Sequence, residues 1–287
     1  MIESIRKDEP SVLLLDGGGI FGRQSDAAEL SLKAMAIMGY DALNLGGPEF
    51  NFGKEFLEHA RSHVSFPYIA SNLLYGGIRL PWTREYIIKE AGGIKIAILG
   101  VLDPDGLAQL PNQEQAKGLE VIPPEAALNR LLPEVRGKAD LVILLSAFGA
   151  QQTLALVKAV KGIDVAIASG NDDQFLGQMP ENTILLHTGY IGQEMGLLKI
   201  TLDEKRTPHV TEKRLLRLGN SVPDNEEVAK LMGPFREARE KAAADLVIKQ
   251  QAKDQEKNRR ELMEGLKLSP QEFMESLQKE QQSLQHR

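Results

Sequence analysis

The residues best placed to do chemistry stand at the ends of short apolar runs. Asp16 closes the run 11–16 (SVLLLD). Glu49 sits in the corner Gly46-Gly47-Pro48-Glu49, just after the run 41–45. Ser146 follows the run 140–145, and Asn171, Asp172 and Asp173 come shortly after the run 164–168. All six side chains offer oxygen. Carboxylate, amide and hydroxyl oxygens gathered from several strand ends suit a single hard divalent cation, Mg²⁺, Mn²⁺ or Ca²⁺. They also suit hydrogen bonding to a small ligand. The same residue types hold turns and cap helices, and Asn171, Asp172 and Asp173 have that chemistry in particular.

Other chemistries find less support. Gly17, Gly19 and Gly22 form a G-x-G-x-x-G after a strand, a pattern that can cradle a dinucleotide pyrophosphate. That fingerprint also asks for an acid at the end of the second strand. Here Asp41 precedes that strand, and Leu45 and Gly46 end it. The five histidines (His59, His63, His187, His209, His286) do not share ligand spacing, and His59 and His63, four apart, fall at a helix end away from the motif loops. The chain has no cysteine, which excludes disulfides, thiolate metal sites and thiol catalysis. A net charge of −6 supplies no electrostatic drive toward nucleic acid or an anionic membrane. No apolar run approaches the ~20 residues that span a bilayer.

Alternating apolar runs and helical periodicities must position these residues. Strands are expected over 11–16, 41–45, 66–70, 140–145 and 164–168, with helices over 2–9, 25–38, 52–60, 124–135 and 152–160. Runs 85–89 and 94–102 flank Gly92-Gly93 as a hairpin. Runs 183–187, 197–202 and 210–218 read as consecutive antiparallel strands. This is an α/β protein with mixed sheets and helices outside. Near Pro223 the composition changes, so the expected domains are 1–222 and a helical tail, 223–287. Asp224 with Glu227 reads as the first capping box of the tail, and Ser269 with Glu272 as the second. Val228, Leu231, Phe235, Ala238 and Ala242 form an apolar seam, and Phe273, Leu277 and Leu284 follow. The seam is expected to pack on the α/β domain, or else to serve as a partner-binding or assembly arm.

Four segments taken together carry a resemblance. LLLDGGGIFG, MGYDALNLGGPEFNFG, ADLVILLSAFG and GIDVAIASGNDD resemble, in order and approximate spacing, the strand-end motifs of the calcineurin-like metallophosphatases, nearest the N-terminal domain of the 5′-nucleotidase family. The resemblance runs over about 11–202. It implies a four-layer sandwich of two mixed sheets flanked by helices. It also implies a two-metal site that clamps a phosphate and generates a hydroxide nucleophile. In this chain the family's bridging aspartate falls on Gly19, its ligand asparagine on Gly47, its catalytic histidine on Pro48 and a ligand histidine on Ala147. Two further histidines fall on Asn171 and Asp173. Asp16 and Glu49 match retained family positions. Glycine, proline and alanine offer no ligating side chain, and Pro48 cannot transfer a proton.

The resemblance therefore implies a degenerate member on a retained scaffold. No cofactor is expected; a single divalent cation is the alternative. The expected function is non-catalytic binding of a protein partner or a small phosphorylated ligand. The alternatives are a metal-dependent phosphoester hydrolase with replaced ligands and a structural protein assembling through its tail. The family's opening D-x-H segment has no counterpart here. The expectation is that the first strand has been discarded or lies upstream of Met1, and in the second case that the protein is exported.

Overall fold

The computed structural model describes the chain apart from residues 171–182, 188–191, 205–206, 220, 267–268 and 286–287. Two compact units divide it, Met1–Leu231 and Met232–Arg287. Helix α1 (Ile2–Asp8) leads to β1 (Leu15–Asp16), α2 (Ser25–Met38), β2 (Ala42–Asn44), α3 (Gly53–Ala60), β3 (Tyr68–Ile69), β4 (Leu73–Tyr75) and β5 (Thr83–Arg84). Next come β6 (Tyr86–Ala91), β7 (Ile94–Val101), β8 (Leu119–Val121), α4 (Pro124–Arg136), β9 (Leu141–Ser146), α5 (Ala150–Ala159) and β10 (Val165–Ala168). The chain continues through β11 (Ile184–His187), β12 (Glu194–Leu202) and β13 (Pro208–Arg217) to α6 (Glu226–Leu266) and α7 (Pro270–Gln285).

The first unit forms the expected α/β sandwich. One sheet runs β1-β2-β3-β5, all parallel. The other runs β11-β10-β9-β7-β6, parallel except for the β6–β7 hairpin that turns at Gly92-Gly93. Three apolar clusters follow from this layering. One lies between the second sheet and helices α4 and α5 (Leu128, Val135, Leu144, Val157). One packs the first sheet on α2 and α3 (Leu32, Leu43, Leu57, Tyr68). The third lies on the opposite face of the second sheet (Ile96, Ile98, Ile143, Val165), where Leu13, Leu15, Leu198 and Ile200 close over it. β9 is buried along its whole length, which is why its run (LVILLS) is continuous rather than alternating.

Local chemistry sets the approach to the first two strand ends. α2 stops at Gly39, which takes the left-handed conformation (φ 72°) and donates its N–H to the Ala36 carbonyl. The Arg6 guanidinium of α1 reaches across to the Met38 and Gly39 carbonyls, 2.7 Å each, and so satisfies the end of α2.

Four elements differ from expectation. β11 pairs in parallel with β10 rather than antiparallel beside β12. Ile184 N–H donates to the Asp164 carbonyl and the Thr183 hydroxyl to the Ile163 carbonyl, fixing that register. A short buried run carries no sign of its pairing direction. The run 11–16 pairs only over Leu15–Asp16, with Leu14 held by Asp41, whose N–H and carboxylate bond the Leu14 main chain. β4 and β8 form a small antiparallel pair that the sequence did not announce. Helix α6 is capped one residue later than Asp224: Asn225 Oδ1 accepts from the N–H groups of Glu227 and Val228. Both residue types cap well, so the local sequence does not choose between them. The second capping box forms as expected, with Ser269 and Glu272 each bonding the other's main-chain N–H. Among the described residues no helix is long and apolar enough to cross a membrane.

Candidate functional site

The ends of β1, β2 and β9 meet at one mouth of a cleft of about 2030 Å³ in the first unit. Asp16, Gly19, Gly47, Pro48 and Ala147 all line it. Four of those five positions, where the resemblance places two-metal ligands or the catalytic imidazole, carry no side chain able to ligate or move a proton.

Glu49 stands behind this wall. It is fully buried and accepts three main-chain hydrogen bonds: from Gly46 N–H (2.6 Å), Gly19 N–H (2.9 Å) and Ile20 N–H (2.7 Å). Burial pushes its carboxyl pKa up, while these donors pull against that rise. The β2 corner is thus tied to the β1 glycine turn by one carboxylate. Gly47 is pinned as well. A methyl group there would stand 2.5 Å from the Gly106 carbonyl oxygen, so the loop after β7 occupies the space that a side chain would need.

Asp16 faces the cleft from the end of β1, where its carboxylate accepts from Gly18 N–H at 2.9 Å. Burial raises its pKa from 3.8 to about 6, and the neighbouring Glu49 carboxyl adds to the rise. Ser146, by contrast, does not face the cleft. Its hydroxyl is buried and lies 2.8 Å from the Thr153 hydroxyl of α5. It anchors the β9–α5 turn. Asn171, Asp172 and Asp173 lie outside the described residues, so of the six candidates the structure brings together Asp16 and Glu49. His187 bonds the Gly170 carbonyl (3.3 Å), while His59 and His63 stack edge-on with centroids 5.2 Å apart.

Asn44 is the residue that pattern reading passed over. It is buried in β2, and its amide donates to the carbonyls of Gly17 (2.9 Å) and Val101 (3.0 Å), joining the ends of β1, β2 and β7. The signal available was a lone asparagine inside an apolar run, since a buried polar group requires partners. Asn72 does the same work on the other side, bonding Leu102 and Ile122.

Among the described residues the donor set does not fit a pair of divalent metals. Glu49 has spent its oxygens on three amides, Ser146 points away, and Gly19, Gly47, Pro48 and Ala147 contribute nothing. Among the described residues no group of three or more histidine, aspartate or glutamate side chains could hold a metal ion.

No family model matches the chain. Among curated proteins it is 30% identical over 162 residues to a 5′-nucleotidase of Vibrio cholerae, covering 53% of this chain and 29% of that protein. It is 33% identical over 144 residues to the uncharacterized metallophosphoesterase YunD of Bacillus subtilis, covering 49% and 30%. These matches span about three-tenths of the relatives' length. Among solved structures, a 5′-nucleotidase precursor from Thermus thermophilus superposes with a TM-score of 0.71 at 19% identity, over 83% of this chain and 51% of the other. The calcineurin-like phosphoesterase YfkN of Bacillus subtilis gives 0.68 at 19% identity, over 83% and 86%. Both structural likenesses establish the fold.

Proposed function

Because the chain is a relative of the calcineurin-like metallophosphatases, on their 5′-nucleotidase branch, we propose that it has given up phosphoester hydrolysis and acts by binding a partner. One observation carries this reading. Among the described residues, the resemblance's metal-ligand positions Gly19, Gly47 and Ala147 and its catalytic-histidine position Pro48 all line the cleft, and the space beside Gly47 is filled by the Gly106 main chain. Replacement and back-filling together argue for a remodelled corner rather than a site awaiting its metal.

The same geometry bears on what is bound. Main-chain N–H groups at a glycine turn are natural anion donors, yet those of Gly19, Ile20 and Gly46 are engaged by Glu49. A phosphate at this corner would find a carboxylate already seated. That favours a protein partner over a small phosphorylated ligand.

Metal analysis of the purified protein, with nucleotide hydrolysis assayed in Mn²⁺, tests the proposal. The expected result is substoichiometric metal and hydrolysis no faster than buffer. Stoichiometric metal with turnover that disappears in Asp16→Ala would overturn it.

A further inference from the structure

The stretch from Tyr75 to Arg84 lies outside the cleft, and none of its residues lines it. It carries Tyr75, Ile78, Arg79 and Arg84 at the surface and contains no acid. Gly76 and Gly77 both take left-handed backbone (φ 57° and 79°), as a two-residue type I′ turn requires. Tyr75 and Ile78 close that turn with two main-chain hydrogen bonds, 2.7 and 3.2 Å, so their side chains stand together as a cross-strand pair. Tyr75 is 39% exposed and Ile78 70%. The Lys54 ammonium lies 4.5 Å from the Tyr75 ring centroid and holds the ring from one face.

Just beyond the turn the chain brings two arginines together. Thr83 is buried in β5, and its N–H and hydroxyl both donate to the Leu80 carbonyl, at 3.0 and 2.9 Å. Trp82 is buried edge-on to Tyr68. These contacts fix the turn 80–83. Arg79 and Arg84 each donate from Nη1 to one acceptor, the Thr83 carbonyl, at 2.6 and 3.1 Å, so the two nitrogens are no more than about 6 Å apart. Two cations that close repel each other. Among the described residues no carboxylate pairs with either. Glu85, the next residue, pairs with Arg130 instead. Most of each five-donor fork is left for an acceptor from outside.

We propose that this stretch is a docking surface for a partner polypeptide: a carboxylate or phosphoryl side chain of the partner bridges Arg79 and Arg84, and an apolar side chain beside it covers Ile78 and Tyr75. Charge selects the first half. Paired guanidinium forks match an oxyanion with several acceptor oxygens, and such a group removes the repulsion between them. The second half follows from Ile78 and Tyr75, which the turn holds in one orientation, so that little ordering is needed on contact. Tyrosine and arginine are also the residue types that anchor protein interfaces. Free phosphate would satisfy the arginines and leave Ile78 bare. An anionic bilayer fits worse, because two exposed acids flank the Tyr75 ring. Glu55 is bonded to Lys54, and Glu114 is paired with Lys117, next to the Gly118 that bonds Gly76 N–H; both would face the charged headgroups. This inference deepens the partner-binding reading and rests on it.

Solution NMR on the full isotope-labelled chain tests the proposal, with two synthetic peptides as probes: GSLELGS and its analogue with phosphoserine in place of glutamate. The side-chain Nε–H signals of Arg79 and Arg84 and the Ile78 methyl signals should shift together and saturate with either peptide. The neutral peptide GSLQLGS should move none of them. Arg79→Gln and Arg84→Gln should each weaken binding about tenfold or more, and Ile78→Ser about threefold or more, each with unchanged circular dichroism. The proposal is overturned if neither charged peptide shifts these signals, if GSLQLGS binds equally, or if inorganic phosphate binds as tightly as the phosphopeptide. It is also overturned if another occupant holds the surface. Vesicles of phosphatidylserine and phosphatidylcholine in equal parts that capture the protein through Arg79 would show a membrane there, and a dimer that Arg84→Gln turns into a monomer would show a second copy. The two readings fail separately: nucleotide turnover with peptide binding intact removes only the loss of hydrolysis, and an inert protein that ignores both charged peptides removes only this surface.

Discussion

At the Gly46-to-Glu49 corner the main-chain N–H groups of Gly19, Ile20 and Gly46 find their acceptor in one buried carboxylate, whereas among the described residues β1 and β12 are each paired along one edge, with β2 and with β13. The corner is the older-looking place, with the motif-bearing strand ends around it. It is also the more finished one: Glu49 fills the amide cradle, and Gly106 fills the space beside Gly47. A region can keep the signature of an activity while its polar groups turn inward.

The largest effect expected from breaking this contrast is Glu49→Ala. It leaves the buried Gly46 N–H and the part-buried N–H groups of Gly19 and Ile20 without their carboxylate, and at about 1–3 kcal/mol for a buried group the loss should reach about 2–3 kcal/mol in urea unfolding. A cost under about 1 kcal/mol would show that the corner is not held by this carboxylate. Gly47→Asn puts an amide back at the ligand position. Crowding against Gly106 should cost about 1–3 kcal/mol, with no hydrolysis gained in Mn²⁺. An unstrained variant that turned over nucleotide would show the corner to be one substitution from activity.

Asp16 sharpens the contrast through pH. Its pKa is raised from 3.8 to about 6, so the folded state holds the proton more tightly than the unfolded chain. Stability is then greatest below about pH 4 and falls as pH climbs through about 6, by roughly 2 kcal/mol once partial exposure is allowed for. Asp16→Asn should flatten that part of the profile, measured as unfolding midpoints at about pH 4 and pH 7. A wild-type profile already flat there would remove the coupling. The smallest effect sets the scale away from both regions: Asn225→Ala should cost about 1 kcal/mol and Asp224→Ala less, by helix content and melting. The reverse order would return the cap to Asp224.

Much of this architecture was legible along the chain. The continuous runs of β7, β9 and β10, the Gly92-Gly93 hairpin and the helix stop at Gly39 follow from burial on both faces and from turn chemistry, which act over a few residues. The candidate site was legible only in part. Asp16 and Glu49 were visible as oxygen ligands, but that the Glu49 carboxylate is taken by the N–H groups of Gly19 and Ile20 as well as Gly46 depends on main-chain atoms 30 and 29 positions away. Ser146 had the right type and the wrong direction, because Thr153 one helical turn into α5 takes its hydroxyl. Asn44 was hidden by the apolar run around it. Whether β11 pairs with β10 or β12 could not be read from a buried run with no alternation.

By itself the sequence determined which side chains can ligate a metal or transfer a proton, and those of Gly19, Gly47, Pro48 and Ala147 cannot in any fold, because they lack the atoms. Only the tertiary structure decided that these four positions line one cleft, that Gly106 closes the space at Gly47, and that β11 pairs with β10. Side-chain chemistry is a local property of each residue. Convergence and strand pairing depend on contacts between distant segments, which a linear pattern does not encode one residue at a time.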